Sequence, residues 1–282
     1  MNKKLITLAV AGALASPMFA AAAEPTPVHS FSYNVGVTSD YLFRGVSQTH
    51  GKPALQGGID YAHSSGLYVG AWASTITWVK DNFGKGSVEL DLYGGYKGSI
   101  TGDVGYDVGL IHYNYPGKGN AIPGINANPN TTEVYGAISY KWLTAKYSQA
   151  ISTNFIGWVG SANSELKSRG SNYLELNANY DMGDGWTLIG HVGTQKVKNS
   201  VTTATVQDAN YTDWKVGVSK DVGFGVVTVA YSDTDAKGVC NATTQTNLYC
   251  WGTNAVSGTS AANSGFKDAS RGTAVVSFTK AF

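Results

Sequence analysis

The sequence predicts an all-β fold, a transmembrane, antiparallel, up-and-down β-barrel of about 12 strands. Three observations lead to it: the composition, an alternation of apolar and polar residues, and a regular rhythm of connection lengths. Of 282 residues, 14% are charged and 35 are glycine, whereas ordinary soluble domains are about 25% charged. The abundant aromatics argue against disorder. The formal net charge of +1 argues against nucleic acid as a partner.

The N-terminus predicts a secretory signal peptide over residues 1–23, which leaves residues 24–282 for the barrel. Lys3 and Lys4 supply a positive start, and residues 5–14 form an apolar stretch too short to span a bilayer as a helix. Small residues precede the predicted cleavage site. The chain is therefore expected to be exported through a periplasm.

The cysteines are Cys240 and Cys250, both in a polar stretch rich in Asn, Thr and Gly. Exported chains meet an oxidising compartment, where paired cysteines normally form a disulfide. The sequence therefore predicts a Cys240–Cys250 disulfide that closes a loop.

Twelve segments alternate apolar and polar residues with the period of a β-strand. They lie near residues 31–38, 55–61, 67–77, 88–96, 104–110, 133–141, 143–148, 174–180, 186–192, 213–219, 224–232 and 273–282. A tilted strand of about 9–11 residues crosses the apolar core of a bilayer, and these segments are close to that length. Because lipid cannot satisfy backbone N–H and C=O groups, such strands must close into a barrel.

The connections between these segments alternate between long and short along the whole chain. The short ones lie near residues 63–66, 97–102, 141–142, 182–185 and 221–223, and the long ones near 45–52, 79–86, 114–131, 150–170, 196–210 and 233–271. An up-and-down barrel places all the long loops on one rim, as outer-membrane barrels do. Greek-key sandwiches give no reason for this rhythm.

Aromatic residues at the strand ends suggest girdles at the two membrane boundaries, or else ordinary sheet aromatics. They are Tyr41, Phe43, Tyr61, Trp78, Tyr96, Trp142, Tyr147, Tyr180, Trp186, Trp214 and Phe282. The last strand ends the chain with Phe282, which resembles the assembly signal of bacterial outer-membrane barrels. Lys280 departs from that pattern but can reach water from the rim. We therefore expect the barrel-assembly machinery to recognise Phe282.

The polar faces supply candidate pore-lining residues. The acids are Asp40, Asp60, Glu89, Asp91, Asp107, Glu133, Glu175 and Asp213; the bases are Arg44, Lys141, Lys146 and Lys215; His191 completes the set. An excess of acids raises the local concentration of cations and predicts a weak cation preference. The alternative is that these residues pair across neighbouring strands as salt bridges in the wall.

The first rim allows two interpretations of Arg44. It lies on the same face as Asp40 and could pair with it, or it could anchor a loop folded into the mouth of the barrel. Two long connections are also candidates for a constriction: residues 114–131 and the disulfide-bearing last loop.

Motifs for catalysis or metal binding are not found in the sequence. The histidines lack a metal-ligand spacing, and neither a G-x-S-x-G elbow nor a phosphate-binding loop occurs. A Ser–His pair at His191 is conceivable, but an imidazole in the lumen wall explains that residue more simply. We expect no enzymatic activity, cofactor or metal.

Residues 39–48, SDYLFRGVSQ, resemble an N-terminal signature of the TorF-family putative porins. Similar blocks follow at residues 53–61, 66–72, 89–96 and 106–110. The resemblance implies a proteobacterial outer-membrane β-barrel for solute passage, with no catalytic residues and with poorly defined substrates.

Together these patterns predict a porin in the outer membrane of a Gram-negative cell, through which small hydrophilic solutes diffuse passively. Its partners would be outer-membrane lipid and those solutes. One alternative is a non-conducting structural or adhesive barrel whose lumen is filled by Tyr68, Trp72 and Tyr93. Another is a secreted β-sandwich that binds carbohydrate through its aromatics.

Overall fold

The computed structural model describes residues 27–83, 85–117, 128–156, 167–199, 209–236, 239–240, 249–251 and 267–282. The predicted signal peptide lies outside these residues. In the described part of the chain, no helix is both long and apolar enough to cross a membrane.

Among the described residues, the elements are strands and one short helix. In chain order they are β1 (His29–Thr38), β2 (Leu42–Phe43), β3 (Val46–Ser47), β4 (Ala54–His63), β5 (Leu67–Thr75), α1 (Trp78–Phe83), β6 (Val88–Thr101), β7 (Val104–Asn114), β8 (Thr131–Tyr140), β9 (Leu143–Ala150), β10 (Asn172–Gly183), β11 (Trp186–Lys196), β12 (Tyr211–Asp221), β13 (Val226–Thr234), β14 (Cys250–Trp251), β15 (Lys267–Asp268) and β16 (Thr273–Ala281).

Twelve of these strands form a closed antiparallel barrel in the order β1-β16-β13-β12-β11-β10-β9-β8-β7-β6-β5-β4. Every hydrogen-bonded neighbour is also a neighbour among the barrel strands in sequence, and β1 closes the ring against β16. The predicted fold class and strand number are confirmed. The remaining strands form two small sheets, β2–β3 and β14–β15.

The predicted rhythm of connections is also confirmed. The β10–β11 turn consists of Asp184 and Gly185, both with positive φ, the backbone geometry that matches the twist of a tight hairpin. By contrast, residues 39–53 separate β1 from β4. All long connections therefore leave the barrel at one rim, opposite the short turns.

The outer face of the barrel is apolar on every strand. Phe31, Leu55, Leu174 and Val276, for example, are each more than 50% exposed, although they belong to well-paired strands. A sandwich would bury such residues against a second sheet, so the β-sandwich alternative is wrong. An outward apolar band around a closed sheet is the arrangement that suits contact with lipid.

Aromatic side chains stand outward near both rims, as a girdle requires. Trp142 packs edge-on against Tyr180 near the short turns, and Trp214 lies against Tyr231 near the long loops. Tyr41, Phe43 and Trp78 were predicted to belong to these girdles, and that prediction is wrong. Tyr41 and Trp78 are buried in a cluster of loop and lumen residues and Phe43 packs against it, because the loops that carry them fold inward.

Candidate functional site

The first long loop, residues 39–53, folds into the barrel. Its centre is a hairpin, Leu42–Ser47, which we call the lumen hairpin. Arg44 and Gly45 form its two-residue turn with φ values of 50° and 78°, the type I′ geometry that favours glycine at the second position. The chain can therefore reverse direction inside the lumen and place the Arg44 side chain at the hairpin tip.

Arg44 reaches the far wall of the barrel. Its Nη1 and Nη2 donate to Glu133 Oε1 and Oε2 at 3.1 and 2.6 Å, and Nη1 also donates to Gln195 Oε1 at 2.8 Å. Glu133 lies on β8. On the shorter way round the barrel, four strands lie between β1 and β8. The lumen hairpin thus spans the cavity and is fastened at both ends.

Aromatic rings enclose the same guanidinium. Its Cζ lies 4.7 Å from the Phe43 ring centre, 4.3 Å from that of Tyr173 and 5.7 Å from that of Phe155. Burial by itself would lower the pKa of Arg44, but the charge and hydrogen bonds of Glu133 raise that pKa above the ordinary arginine value. The arginine therefore stays charged, and its loss would leave Glu133 buried without a cation.

The base of the hairpin is held by its own hydroxyl groups. Ser47 and Thr49 donate to Asp40 Oδ1 at 2.7 and 2.8 Å, and Tyr41 donates to Glu89 Oε1 on β6 at 2.7 Å. Asp40 does not pair with Arg44, because Arg44 is turned toward Glu133. Of the two interpretations of Arg44, the geometry agrees with the loop anchor.

Neighbouring loops fasten the outer side of this loop. The Gln48 carbonyl accepts from the backbone N–H of Thr77 at 2.9 Å, and Ser47 N donates to the Ala269 carbonyl at 2.7 Å. His50 Nδ1 lies 2.9 Å from Asp81 of α1. The other candidate constrictions, residues 114–131 and the last loop, lie partly outside the described residues and stay predictions.

Deeper in the barrel, tyrosines cover the inner wall. Tyr68 donates to Asp107 at 2.7 Å and also bonds Tyr135, while Tyr93 donates to Asp60 at 2.6 Å. Lys146 lies over the Tyr135 ring at 4.2 Å. We call the inward residues Tyr68, Trp72, Tyr93, Tyr113, Tyr135 and Tyr173 the aromatic wall.

His191 belongs to a hydrogen-bonded group in the wall. Its Nε2 lies 2.9 Å from both Tyr173 Oη and Asp213 Oδ2, and its Nδ1 lies 2.7 Å from Asn177 Oδ1. Glu175 is 3.7 Å away. Among the described residues no serine contacts this imidazole, so the geometry matches an imidazole of the lumen wall.

One predicted pore-lining residue needs correction. Lys141 lies in the β8–β9 turn with its side chain 53% exposed, 3.9 Å from Asp103, because the alternation of faces ends where the strand ends. The sequence analysis missed Lys97, which lies over the Tyr68 ring at 5.2 Å. Counting in twos along β6 from Glu89 and Asp91 would have found it.

The other predicted residues are found inside the barrel. Asp40 and Arg44 lie in the inward loop; the remaining ones lie on inward positions of the strands, namely Asp60, Glu89, Asp91, Asp107, Glu133, Lys146, Glu175, His191, Asp213 and Lys215. Local patterns do not reveal Gln195, Phe155 and Tyr173 as partners of Arg44, because those contacts cross the lumen.

A recess of about 120 Å³ remains beside the lumen hairpin. Strands β13 and β16 contribute small side chains to it, which we call the small-residue wall: Ala230, Ser232, Val275, Ser277 and Thr279. Thr38, Asp40, Tyr41, Leu42, Gln56 and Lys215 complete the lining. The two sides of the lumen thus differ, one filled by rings and the other open.

The predicted disulfide between Cys240 and Cys250 is present. It adjoins β14, which pairs with β15 in the last long loop. The described parts of the chain contain no group of three or more His, Cys, Asp or Glu that could hold a metal ion.

Fold and site together define a class: a closed twelve-stranded barrel with an inward hairpin. Residues 22–274 match the model of a family described as "Bacterial protein of unknown function (Gcw_chp)". The chain belongs to this family. No significant match is found among curated proteins.

Solved porin structures show similarity at low sequence identity. The KdgM porin in complex with disordered oligogalacturonate is 8% identical, with 90% of this chain and 99% of that chain covered and a TM-score of 0.49. The NanC porin is 11% identical, with 90% of this chain and 99% of that chain covered and a TM-score of 0.48. Pseudomonas aeruginosa OprD is 10% identical, with 89% of this chain and 66% of that chain covered and a TM-score of 0.40.

Proposed function

We propose that this protein is an outer-membrane porin through which small hydrophilic solutes diffuse passively, with the lumen hairpin as its constriction. The observation that carries the proposal is the opposite character of the two barrel surfaces. Large apolar side chains face outward, whereas carboxylates, lysines and hydroxyls face inward around an open recess. A polar lumen inside an apolar cylinder suits a water-filled path through lipid.

The size of the barrel agrees with a narrow path. Twelve strands enclose less space than the 16–18 strands of general porins, and the hairpin takes up part of it. We therefore propose small solutes rather than oligomeric ones, and no catalytic role. The export signal in residues 1–23, the recognition of Phe282 by the assembly machinery and the relation to the TorF-family putative porins belong to this proposal.

Weak cation preference is the finer part of the proposal. With Lys97 in place of Lys141, 8 carboxylates face 4 basic groups inside the barrel and its inward loop. Fixed negative charge along a narrow lumen raises the local concentration of cations. Pairing such as Arg44–Glu133 reduces this excess, so the expected preference is modest.

Single-channel recording of residues 24–282 in planar bilayers tests both parts. Discrete current steps support the porin, and a reversal potential of cation-selective sign in a KCl gradient supports the preference. Asp60→Asn with Asp107→Asn keeps the tyrosine acceptors but removes two charges, and we expect it to shift the reversal potential toward anions. Asp103→Asn, in an exposed turn, is the control.

A filled, non-conducting barrel is the second candidate, since the aromatic wall and the lumen hairpin both occupy the lumen. Folded protein that inserts into bilayers without current steps would support that candidate and refute the porin.

A further inference from the structure

The recess beside the lumen hairpin contains two charged groups of opposite sign. Lys215 projects from β12, and Asp40 comes from the base of the inward loop. The remaining lining is neutral: hydroxyls from Thr38, Ser232 and Ser277, among others, together with the Gln56 amide. The charged chemistry of this space therefore rests on one ammonium and one carboxylate.

Lys215 forms no salt bridge or hydrogen bond within the described part of the chain, although the carboxylates of Asp213 and Glu175 are close enough to act on its charge. Within the described part of the chain, no carboxylate oxygen lies within 4.0 Å of its Nζ, and this group donates no hydrogen bond there. The nearest inward carboxylate on its own strand, Asp213, is held by Tyr173 and His191. An ammonium without a hydrogen-bonded partner in a narrow lumen must be met by water or by a solute.

Asp40 is only half satisfied. Both hydroxyl donors, Ser47 and Thr49, bond Oδ1. For Oδ2 the described residues offer no donor. Asp40 and Lys215 line the same space without pairing with each other, since no contact within 4.0 Å joins them.

The lining also offers free hydroxyls. Ser277 and Thr279 make no side-chain hydrogen bond within the described residues, whereas Ser232 donates to the Trp214 carbonyl at 2.9 Å. The volume of about 120 Å³ compares with about 10–15 Å³ that one water needs on the same measure. The recess therefore has room for a small solute.

We propose that this recess is a binding subsite for small zwitterionic solutes of the amino-acid type, with the carboxylate at Lys215 and the ammonium at Asp40. The proposal rests on the porin function and names the class of solute for it. Two separated charges of opposite sign complement a molecule that carries both, better than one that carries either alone. Charge-assisted hydrogen bonds at both ends supply the affinity.

Calorimetric titration of the folded, detergent-solubilised barrel tests the subsite without requiring conduction. Glycine is the probe, and glycolate, ethanolamine and ethylene glycol are solutes of similar size with one charge or none. We expect glycine to bind about tenfold more tightly than each of the other three. Equal binding of glycine and glycolate would overturn the proposal in favour of a simple anion site, and no binding of glycine would also overturn it.

Two lysine variants test whether Lys215 binds the carboxylate of glycine. Lys215→Met is expected to weaken glycine binding about tenfold and leave ethanolamine binding unchanged. Lys97→Met removes the same charge from another part of the lumen, where Lys97 lies over Tyr68, and should leave glycine binding intact. Equal losses in both variants would contradict a site at Lys215.

Asp40→Asn keeps an acceptor for Ser47 and Thr49 but removes the negative charge, and should weaken the binding of glycine and ethanolamine. If the variant keeps full glycine affinity, the assigned ammonium end is wrong. Current recordings separate the two proposals: glycine binding without current steps refutes the porin alone, whereas current steps without glycine binding refute the subsite alone.

Discussion

The aromatic wall and the small-residue wall face each other across one lumen but leave very different amounts of space. On the aromatic wall, Tyr93 and Tyr135 fill the volume above glycines of neighbouring strands, Gly70 and Gly109. On the small-residue wall, Ala230 and Ser277 fill little, and the recess remains. Because interiors without voids exclude solutes, the contrast places the proposed path on the side of β13 and β16.

The lumen hairpin depends on the same contrast. Its tip is anchored where rings and carboxylates are dense, through Arg44, Glu133 and Tyr173. Its base lies beside the recess, where Asp40 and Leu42 form part of the lining. One loop therefore closes the crowded side and borders the open side.

The largest expected effect is the removal of the constriction. Replacing residues 42–47 with a flexible Gly-Ser linker should raise the single-channel conductance several-fold, because the element that spans the lumen is lost. The heat-dependent mobility shift of the folded barrel on SDS gels is the control for folding. Unchanged conductance in a folded variant would contradict the role of the hairpin.

The anchor of the hairpin is the next target. Arg44→Met leaves Glu133 buried without its cation, and removing one partner of a buried pair costs about 3–5 kcal/mol. We expect the loop to leave the lumen and to be cleaved by chymotrypsin while the barrel stays folded. Adding Glu133→Gln should restore part of the protection. Equal cleavage of the wild type and Arg44→Met would show that the pair does not hold the loop.

The small-residue wall should be the sensitive side of the path. Ser277→Trp places a large ring in the recess, and we expect it to reduce the unit current by more than half. Tyr93→Phe removes only the hydroxyl that bonds Asp60 on the aromatic wall and should leave the current nearly unchanged. A larger loss in Tyr93→Phe would place the path on the other side.

Alanine substitutions at Gly45 and Gly51 separate the effect of backbone strain from that of a steric clash. A Cβ there would lie 2.6 Å from Thr234 Cγ2, whereas a Cβ at Gly51 would have no neighbour within 4 Å; both glycines have positive φ. Each alanine costs roughly 1–2 kcal/mol in backbone strain. Only Gly45→Ala adds a clash, so it alone should expose the loop to chymotrypsin. Equal cleavage of both variants would mean that strain decides.

The disulfide should have the smallest effect on the path. Reduction of Cys240–Cys250 acts on a span of 10 residues in the last long loop, away from the twelve-strand ladder. We expect faster proteolysis between β13 and β16, with the conductance and the mobility shift unchanged. A changed conductance would show that the disulfide acts on the constriction through the hydrogen bond between Ala269 and Ser47.

Local patterns were enough to predict the barrel because each strand alternates faces on its own. Val88, Leu90 and Leu92 indicate the outer face of β6 without knowledge of any other strand. The rule fails where the strand ends, which explains the error at Lys141 and the wrong assignment of Tyr41, Phe43 and Trp78 to the girdles. It holds at Lys97, which lies in β6 just beyond the predicted segment of residues 88–96.

The candidate site was predicted only in part. The residue types and their inward direction follow from the alternation, as for Glu133 and Asp213. Their partners do not, since Arg44 meets Glu133 across 89 residues of sequence and Gln195 across 151. A local pattern carries no information about which residues the closing of the sheet brings together.

The sequence by itself determined the strands, their number, the two rims and the apolar outer face, because these depend on spacing within short segments and on the need to satisfy the backbone in lipid. Only the tertiary structure decided that residues 39–53 turn inward, that Arg44 binds Glu133 rather than Asp40, and that Lys215 and Asp40 share one recess. Those outcomes depend on which side chains face each other across a closed barrel, a relation that exists only once the ring has formed.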